Sequence, residues 1–173
     1  MKKPHFYSFA RVSLMAAALS AVMLCSANAS DVNTIYSKAV NGDMTAQYNM
    51  GSMYSIGEGL SQDYSQAFSW FEKAANQGHI ESAHNIGLLY EKGRGAPKNY
   101  KQAMNWYKRA AAAGYSDSQL NLGVMYSEGI GVDRDVNKAI ELFKMAAANS
   151  HENTESKAKY NLGLIYNKHY NIK

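Results

Sequence analysis

The sequence predicts an all-α fold, an α-solenoid of antiparallel helix pairs, and three observations carry that expectation. One phrase recurs in three near-copies: Ala46-Gln-Tyr-Asn-Met-Gly51-Ser-Met-Tyr54-Ser-Ile-Gly57-Glu-Gly59, then Ala83-His-Asn-Ile-Gly87-Leu-Leu-Tyr90-Glu-Lys-Gly93-Arg-Gly95, then Gln119-Leu-Asn-Leu-Gly123-Val-Met-Tyr126-Ser-Glu-Gly129-Ile-Gly131. Gly51, Gly87 and Gly123 stand 36 residues apart, a fixed period of the length that marks repeat arrays. Between the copies lies a second stripe with apolar residues at i, i+3, i+4 and i+7, the pattern of a helix with one buried face.

The first helix is expected over Asp31–Gly42, with Asp31 as N-cap, Val32, Ile35, Tyr36 and Ala39 at helical spacing, and Gly42 as the stop. Shifted by 36, Ile35 falls on Phe71 and Ala39 on Ala75, so this segment is the second half of a repeat and caps the array. Each full repeat then supplies a helix A and a helix B. Helix A is expected at 44–56, 80–92 and 116–128, closed by the pairs Gly57/Gly59, Gly93/Gly95 and Gly129/Gly131. Helix B opens at Asp63, Asn99 and Asp135, all good N-caps. Gln66 and Gln102 sit three residues on, as in a capping box, while Lys138 breaks that pattern. Gly78 and Gly114 end helix B, and Ser150 stands at that place in the third repeat. A mid-helix glycine costs about 1 kcal/mol against alanine. Three at one register imply a close approach of helix B, with Phe71, Tyr107 and Phe143 as core. Residues 149–156 hold four extra residues, a longer polar turn or an added helical turn, before a partial fourth copy, Tyr160-Asn-Leu-Gly163-Leu-Ile-Tyr166. The resulting division is 31–42, 43–78, 79–114, 115–150 and 151–173.

The N-terminus reads as a cleavable signal peptide over residues 1–29. Lys2, Lys3 and Arg11 precede the apolar run Val12–Cys25, and Ala27-Asn28-Ala29 offers a small-x-small cleavage site. That run has 14 residues, short of the roughly 20 a membrane span needs, so no membrane-spanning role is expected. Leu24 before Cys25 argues against a lipoprotein signal. What remains, 30–173, is expected to be a single domain, periplasmic or secreted. Removing the leader lowers the net charge from +4 to +1, which leaves no basic stripe for nucleic acid. It also removes the one cysteine, which excludes disulfides and Cys-ligated metals.

The repeated pattern A-Q-Y-N-L-G-x-x-Y-x-x-G-x-G, a cap residue, then [KQ]-A-x-x-W-[FY]-x-[KR]-A-A resembles the Sel-one-like repeat, a relative of the tetratricopeptide repeat. The resemblance covers 31–168. It implies a right-handed superhelix of antiparallel helix pairs and an adaptor role, with a concave face of A helices holding a peptide or protein. Secreted bacterial members are implicated in envelope and host-contact functions. A subset with a disulfide in each repeat has been linked to β-lactam binding, and the cysteines that define that subset are missing here.

No catalytic or metal site is expected, and no cofactor. His79, His84, His151 and His169 form no i, i+3 or i, i+4 histidine pair and no HExxH. Asp133-Arg-Asp135-Val-Asn137 starts like a calcium loop, but Lys138 and Lys144 stand where glycine and glutamate are required. The Gly-x-Gly pairs end helices and follow no strand, unlike nucleotide-binding loops. The tyrosines recur at fixed registers, Tyr54, Tyr90, Tyr126 and Tyr166 among them, and read as packing.

The expected binding face combines an invariant set, Asn49, Asn85, Asn121 and Asn161, with a variable row, Tyr48, His84, Leu120 and Tyr160, followed four residues on by Ser52, Leu88, Val124 and Leu164. A helix-interior asparagine needs a polar reason. One is a hydrogen bond to the neighbouring repeat, and the other is a grip on a ligand's main chain. The function expected is a non-enzymatic adaptor that binds another protein or peptide. An immunity or inhibitor protein acting on an envelope toxin, and a cell-wall ligand binder, are the alternatives. No helix B follows Leu162, Ile165 and Tyr166, which offers a route to a homodimer through that helix.

Overall fold

A short polar side chain ahead of an apolar stripe opens a helix by accepting an otherwise orphaned N–H, and a left-handed glycine closes it. The computed structural model, which describes residues 29–148 and 152–170, is built on that rule. Among the described residues there are eight helices and no strand: α1 (Ala29–Val40), α2 (Met44–Ile56), α3 (Tyr64–Asn76), α4 (Ile80–Lys92), α5 (Tyr100–Ala112), α6 (Ser116–Glu128), α7 (Val136–Ala148) and α8 (Glu152–Tyr170). This is an all-α repeat fold. It divides into two compact units, with the boundary between Ala103 and Met104 inside α5. Residues 1–28, which fall in the expected signal peptide 1–29, lie outside the described residues, as do 149–151 with His151.

The caps form as expected and add one bond that the sequence pattern did not announce. Asp63 Oδ1 accepts the Ser65 and Gln66 amides at 2.8 and 3.1 Å, Asn99 Oδ1 accepts from Gln102 at 3.1 Å, and Asp135 Oδ1 accepts from Lys138 at 2.9 Å. A capping box would then return the N3 side chain to the cap's own N–H. Here that N–H donates instead to a tyrosine carbonyl of the preceding helix: Asp63 to Tyr54, Asn99 to Tyr90 and Asp135 to Tyr126, at 2.9, 3.0 and 2.9 Å. The main chain fills the place of the expected glutamine, so Lys138 costs the third repeat nothing at this position. α1 differs from expectation, beginning at Ala29 and placing Asp31 in its first turn. There the carboxylate favours the positive end of the helix dipole without capping it.

Two of the mid-helix glycines, Gly51 and Gly123, are notches. A Cβ on Gly51 would lie 2.5 Å from the Phe71 ring, and one on Gly123 would lie 2.5 Å from Phe143. Both rings are almost wholly buried. Burying such a side chain is worth about 1.5–3 kcal/mol, more than the ~1 kcal/mol the glycine costs its helix. The alanines of helix B complete the contact surface: Ala67, Ala74, Ala139 and Ala146 have no exposed area. In the N-terminal unit the core joins Val32, Ala39, Ala46, Met50, Met53 and Trp70. In the C-terminal unit it joins Leu120, Val124, Ala139, Phe143, Ala146, Ala158 and Ile165.

Glutamines, buried at Gln47 and Gln119 and exposed at Gln77, tie the open carbonyls of one helix to the next. Gln47 donates to the Ala39 carbonyl at 3.1 Å, and Gln77 bridges the Gln47 side chain and the Gly42 carbonyl at 2.7 and 3.0 Å. In the other unit Gln119 repeats the first bond, to Ala111 at 3.2 Å. The inserted residues ahead of the fourth copy are wound into α8, which reaches 19 residues. The added turn is fastened, since the buried Thr154 hydroxyl bonds the Asp117 carboxylate of α6.

Gly163 separates propensity from packing, because a Cβ there meets nothing within 4 Å. Gly123→Ala is expected to destabilise by about 1–3 kcal/mol through overpacking against Phe143. Gly163→Ala is expected to leave stability unchanged or raise it by up to ~1 kcal/mol. Urea unfolding of the two variants checks this, and equal shifts in one direction would show that the notch is not what the glycine serves.

Candidate functional site

In the N-terminal unit the expected face begins on α2, where Tyr48, Asn49 and Ser52 are half-buried. Tyr48 is held by packing. Its ring stacks on His79 with centroids 4.4 Å apart and 27° between planes, and tilts onto Phe71 at 5.9 Å. Burial pushes its hydroxyl pKa above the usual phenol value. The buried Ser52 hydroxyl interacts with the Tyr48 hydroxyl and partly offsets that rise. On α4, His84, Asn85 and Leu88 are buried, within a run from Ser82 to Leu89 that is buried throughout. Periodicity names the helix face but not whether a neighbour covers it, and here the face is covered.

In the C-terminal unit Leu120, Asn121 and Val124 are likewise buried, and Leu120 and Val124 belong to the same apolar cluster as Phe143 and Ile165. α8 combines an exposed residue with a buried one. Tyr160 is 49% exposed, while the adjacent Asn161 is 1% exposed with both amide atoms lacking a partner. Such a group forfeits about 1–3 kcal/mol of hydration with nothing in return. The hydroxyls one turn further on are consumed locally: Ser55 donates to the Ser52 carbonyl at 2.8 Å and Ser127 to Val124 at 2.9 Å. Of the twelve expected residues, then, Tyr48, Asn49, Ser52, Tyr160 and Leu164 keep surface, and Asn161 keeps an unmet hydrogen-bonding demand.

His79 is the residue that sequence reasoning passed over. It is the N-cap of α4. Its Nδ1 accepts the Ser82 amide at 3.3 Å and lies 3.1 Å from the Ser82 hydroxyl, which leaves the ring proton on Nε2, 3.4 Å from Glu81 Oε2. The signal was its register: His79 aligns with Asp43, which caps α2 through its carboxylate, and with Tyr115, which gives α6 no side-chain cap. A serine, a histidine and a carboxylate thus meet in one turn, but Ser82 has no exposed area and no substrate could reach it. Among the described residues no three His, Cys, Asp or Glu side chains are grouped to hold a metal ion. Among them, too, no helix is long and apolar enough to cross a membrane.

The repeats at 45–79, 80–115 and 116–151 match the Sel1 repeat family. The chain is a Sel1 repeat protein. Sel1 repeats generally serve as protein-interaction scaffolds. Among solved structures, this Sel1 protein is similar to c5321, a protective antigen present in uropathogenic Escherichia coli strains, described as displaying an SLR fold. The two share 33% identity over 80% of this chain and 29% of that one, with a TM-score of 0.74. It is also similar to a Sel1 repeat protein from Oxalobacter formigenes, at 31% identity over 76% of this chain and 51% of that one, TM-score 0.69. Helicobacter pylori cysteine rich protein B, at 22% identity over 73% of this chain and 93% of that one, TM-score 0.58, shares the fold. The chain therefore spans about half or less of the length of the first two. No match is found among the curated proteins.

His79 makes the α4 cap of this Sel1 protein sensitive to pH. Burial lowers its pKa from 6.5, against the opposing pull of Glu81, so the folded protein binds its proton less readily than the unfolded chain. The cap's contribution is full above pH 6.5 and is lost as pH falls through the lowered folded value. His79→Asn keeps a capping acceptor that does not titrate. Its stability is expected to match the parent near neutrality and to exceed it, by up to the ~0.5–2 kcal/mol of a cap, in acid. Urea midpoints across this range decide, and parallel profiles would rule the mechanism out.

Proposed function

We propose that this protein is a non-enzymatic adaptor of the bacterial envelope that holds another protein or peptide against its A helices, with α8 supplying the main contact. The observation that carries this reading is the pairing of Tyr160 with Asn161. An exposed aromatic ring stands beside a buried amide whose donor and acceptor both lack partners. A swing of the enclosed Asn161 side chain toward the surface would let a peptide main chain supply the matching acceptor and donor, and the exposed aromatic ring anchors an interface at low entropic cost. Membership of a family of interaction scaffolds supports the reading. In the N-terminal unit the half-buried Tyr48, Asn49 and Ser52 form a second, smaller contact of the same kind. Export of the chain, with cleavage after Ala29 and a periplasmic or secreted destination, belongs to the same proposal. It predicts a mature protein that begins at Ser30, which an intact-mass measurement on secreted material checks.

Two variants test the binding face. Asn161→Leu removes the unmet amide and is expected to leave folding stability unchanged or raise it by about 1 kcal/mol, while partner affinity falls about tenfold or more. Tyr160→Ala, at an exposed position, is expected to lower affinity without lowering the melting temperature. The measurement is calorimetry with the partner recovered from an envelope extract. Affinity that survives both changes would remove α8 from the interface. If α8 instead takes a second copy of this chain, light scattering will give twice the monomer mass, and Tyr160→Ala will halve it.

A further inference from the structure

The three turns between helix A and helix B share one backbone and differ in charge. Aligned at the period of 36, residues 56–65 (Ile-Gly-Glu-Gly-Leu-Ser-Gln-Asp-Tyr-Ser) carry two acidic residues and no basic one. Residues 128–137 (Glu-Gly-Ile-Gly-Val-Asp-Arg-Asp-Val-Asn) carry three acidic and one basic. Residues 92–101 (Lys-Gly-Arg-Gly-Ala-Pro-Lys-Asn-Tyr-Lys) carry four basic and no acidic. The middle turn is thus +4 between neighbours of −2, and no acidic residue occurs from Lys92 to Ser116.

Two cations of this turn, Arg94 and Lys98, are also held in place. Gly95 lies so close to the start of α3 that a Cβ would fall 2.1 Å from the Tyr64 carbonyl oxygen. The Arg94 guanidinium lies over the Tyr64 ring, 5.0 Å from its centroid, and donates to the Tyr64 hydroxyl at 3.2 Å. Lys98 Nζ stands 4.8 Å from the Tyr100 ring centroid. The Asn99 amide is bonded to the Tyr90 carbonyl at 3.0 Å, and Pro97 restricts the backbone between. Lys92 has an acidic neighbour, Glu91, at 3.5 Å. Arg94, Lys98 and Lys101 are exposed and have no carboxylate partner among the described residues. Cations fixed on a rigid turn lose little freedom on binding.

We infer that the turn Lys92–Lys101 is a second interaction surface, distinct from the A-helix face, that docks an acidic peptide segment of a protein partner through Arg94, Lys98 and Lys101. Four of the six cations in this acid-free stretch fall within ten residues, which suits a short run of aspartates or glutamates. A long polyanion would call for a stripe. Electrostatic docking of this kind sets association rate and salt dependence above all.

The probe is a fluorescein-labelled decaglutamate peptide, followed by anisotropy with the full chain. Binding is expected at about 20 mM NaCl and should weaken about tenfold or more at roughly 300 mM, where the screening length shortens. The triple variant Arg94→Gln, Lys98→Gln, Lys101→Gln should lose about tenfold or more in affinity. A control of equal charge change, Lys138→Gln, Lys144→Gln, Lys159→Gln, should lose less than about twofold. Circular dichroism melts confirm that both variants fold. Equal losses in the two would reduce the effect to net charge and overturn the proposal. Unchanged binding by the first variant would do the same, as would turn-dependent binding of phosphatidylglycerol vesicles without binding of decaglutamate. Tyr160→Ala leaves this binding intact, so the two surfaces stand or fall separately.

Discussion

The first and third repeats depend on one steric substitution: an aromatic ring of helix B occupies the volume that a Cβ of helix A would fill. Phe71 sits in the notch of Gly51 and Phe143 in that of Gly123. The helix loses a good residue and gains a buried ring, and the balance favours the ring. With that distance set, the flanking positions must be small, which is why Ala67, Ala74, Ala139 and Ala146 are wholly buried. The stripe of alanines follows from the glycine.

The fold was legible because its rules repeat. Helix A limits, B-helix caps and closing glycines each recur at a spacing that averages out local ambiguity, and the structure places them where the pattern did. What was not legible depended on a single copy or on the environment. His79 caps α4 only because its neutral Nδ1 happens to face the Ser82 amide, and histidine is not a residue one reads as a cap. The four inserted residues could be turn or helix, and the bond from Thr154 to Asp117 now accounts for their helical form. The binding face was read less completely. Helical spacing put Tyr48, His84, Leu120 and Tyr160 on one stripe, but whether a stripe meets solvent depends on what packs beside it. His84 and Leu120 are covered, whereas Tyr160 is open. Variation among copies therefore has two sources, local repacking in the buried members and surface character in the exposed ones.

The asparagines show both at once. They recur at one register and yet meet different surroundings, half-buried at Asn49 and fully enclosed at Asn161. A residue retained while its environment changes is poorly explained by packing alone. The unmet amide of Asn161 is a cost to the isolated fold.

The bond from each B-helix cap to a tyrosine carbonyl has a wider consequence. A loop closed only by side chains can open while its flanking helices persist. Here the last turn of helix A accepts from the first residue of helix B, so the hydrogen-bond ladder runs from one helix into the next with no break at the corner. Opening that corner means unwinding the end of a helix. Local opening of the turn is thereby tied to fraying of the A helix, and a partner that grips the turn also holds that helix end.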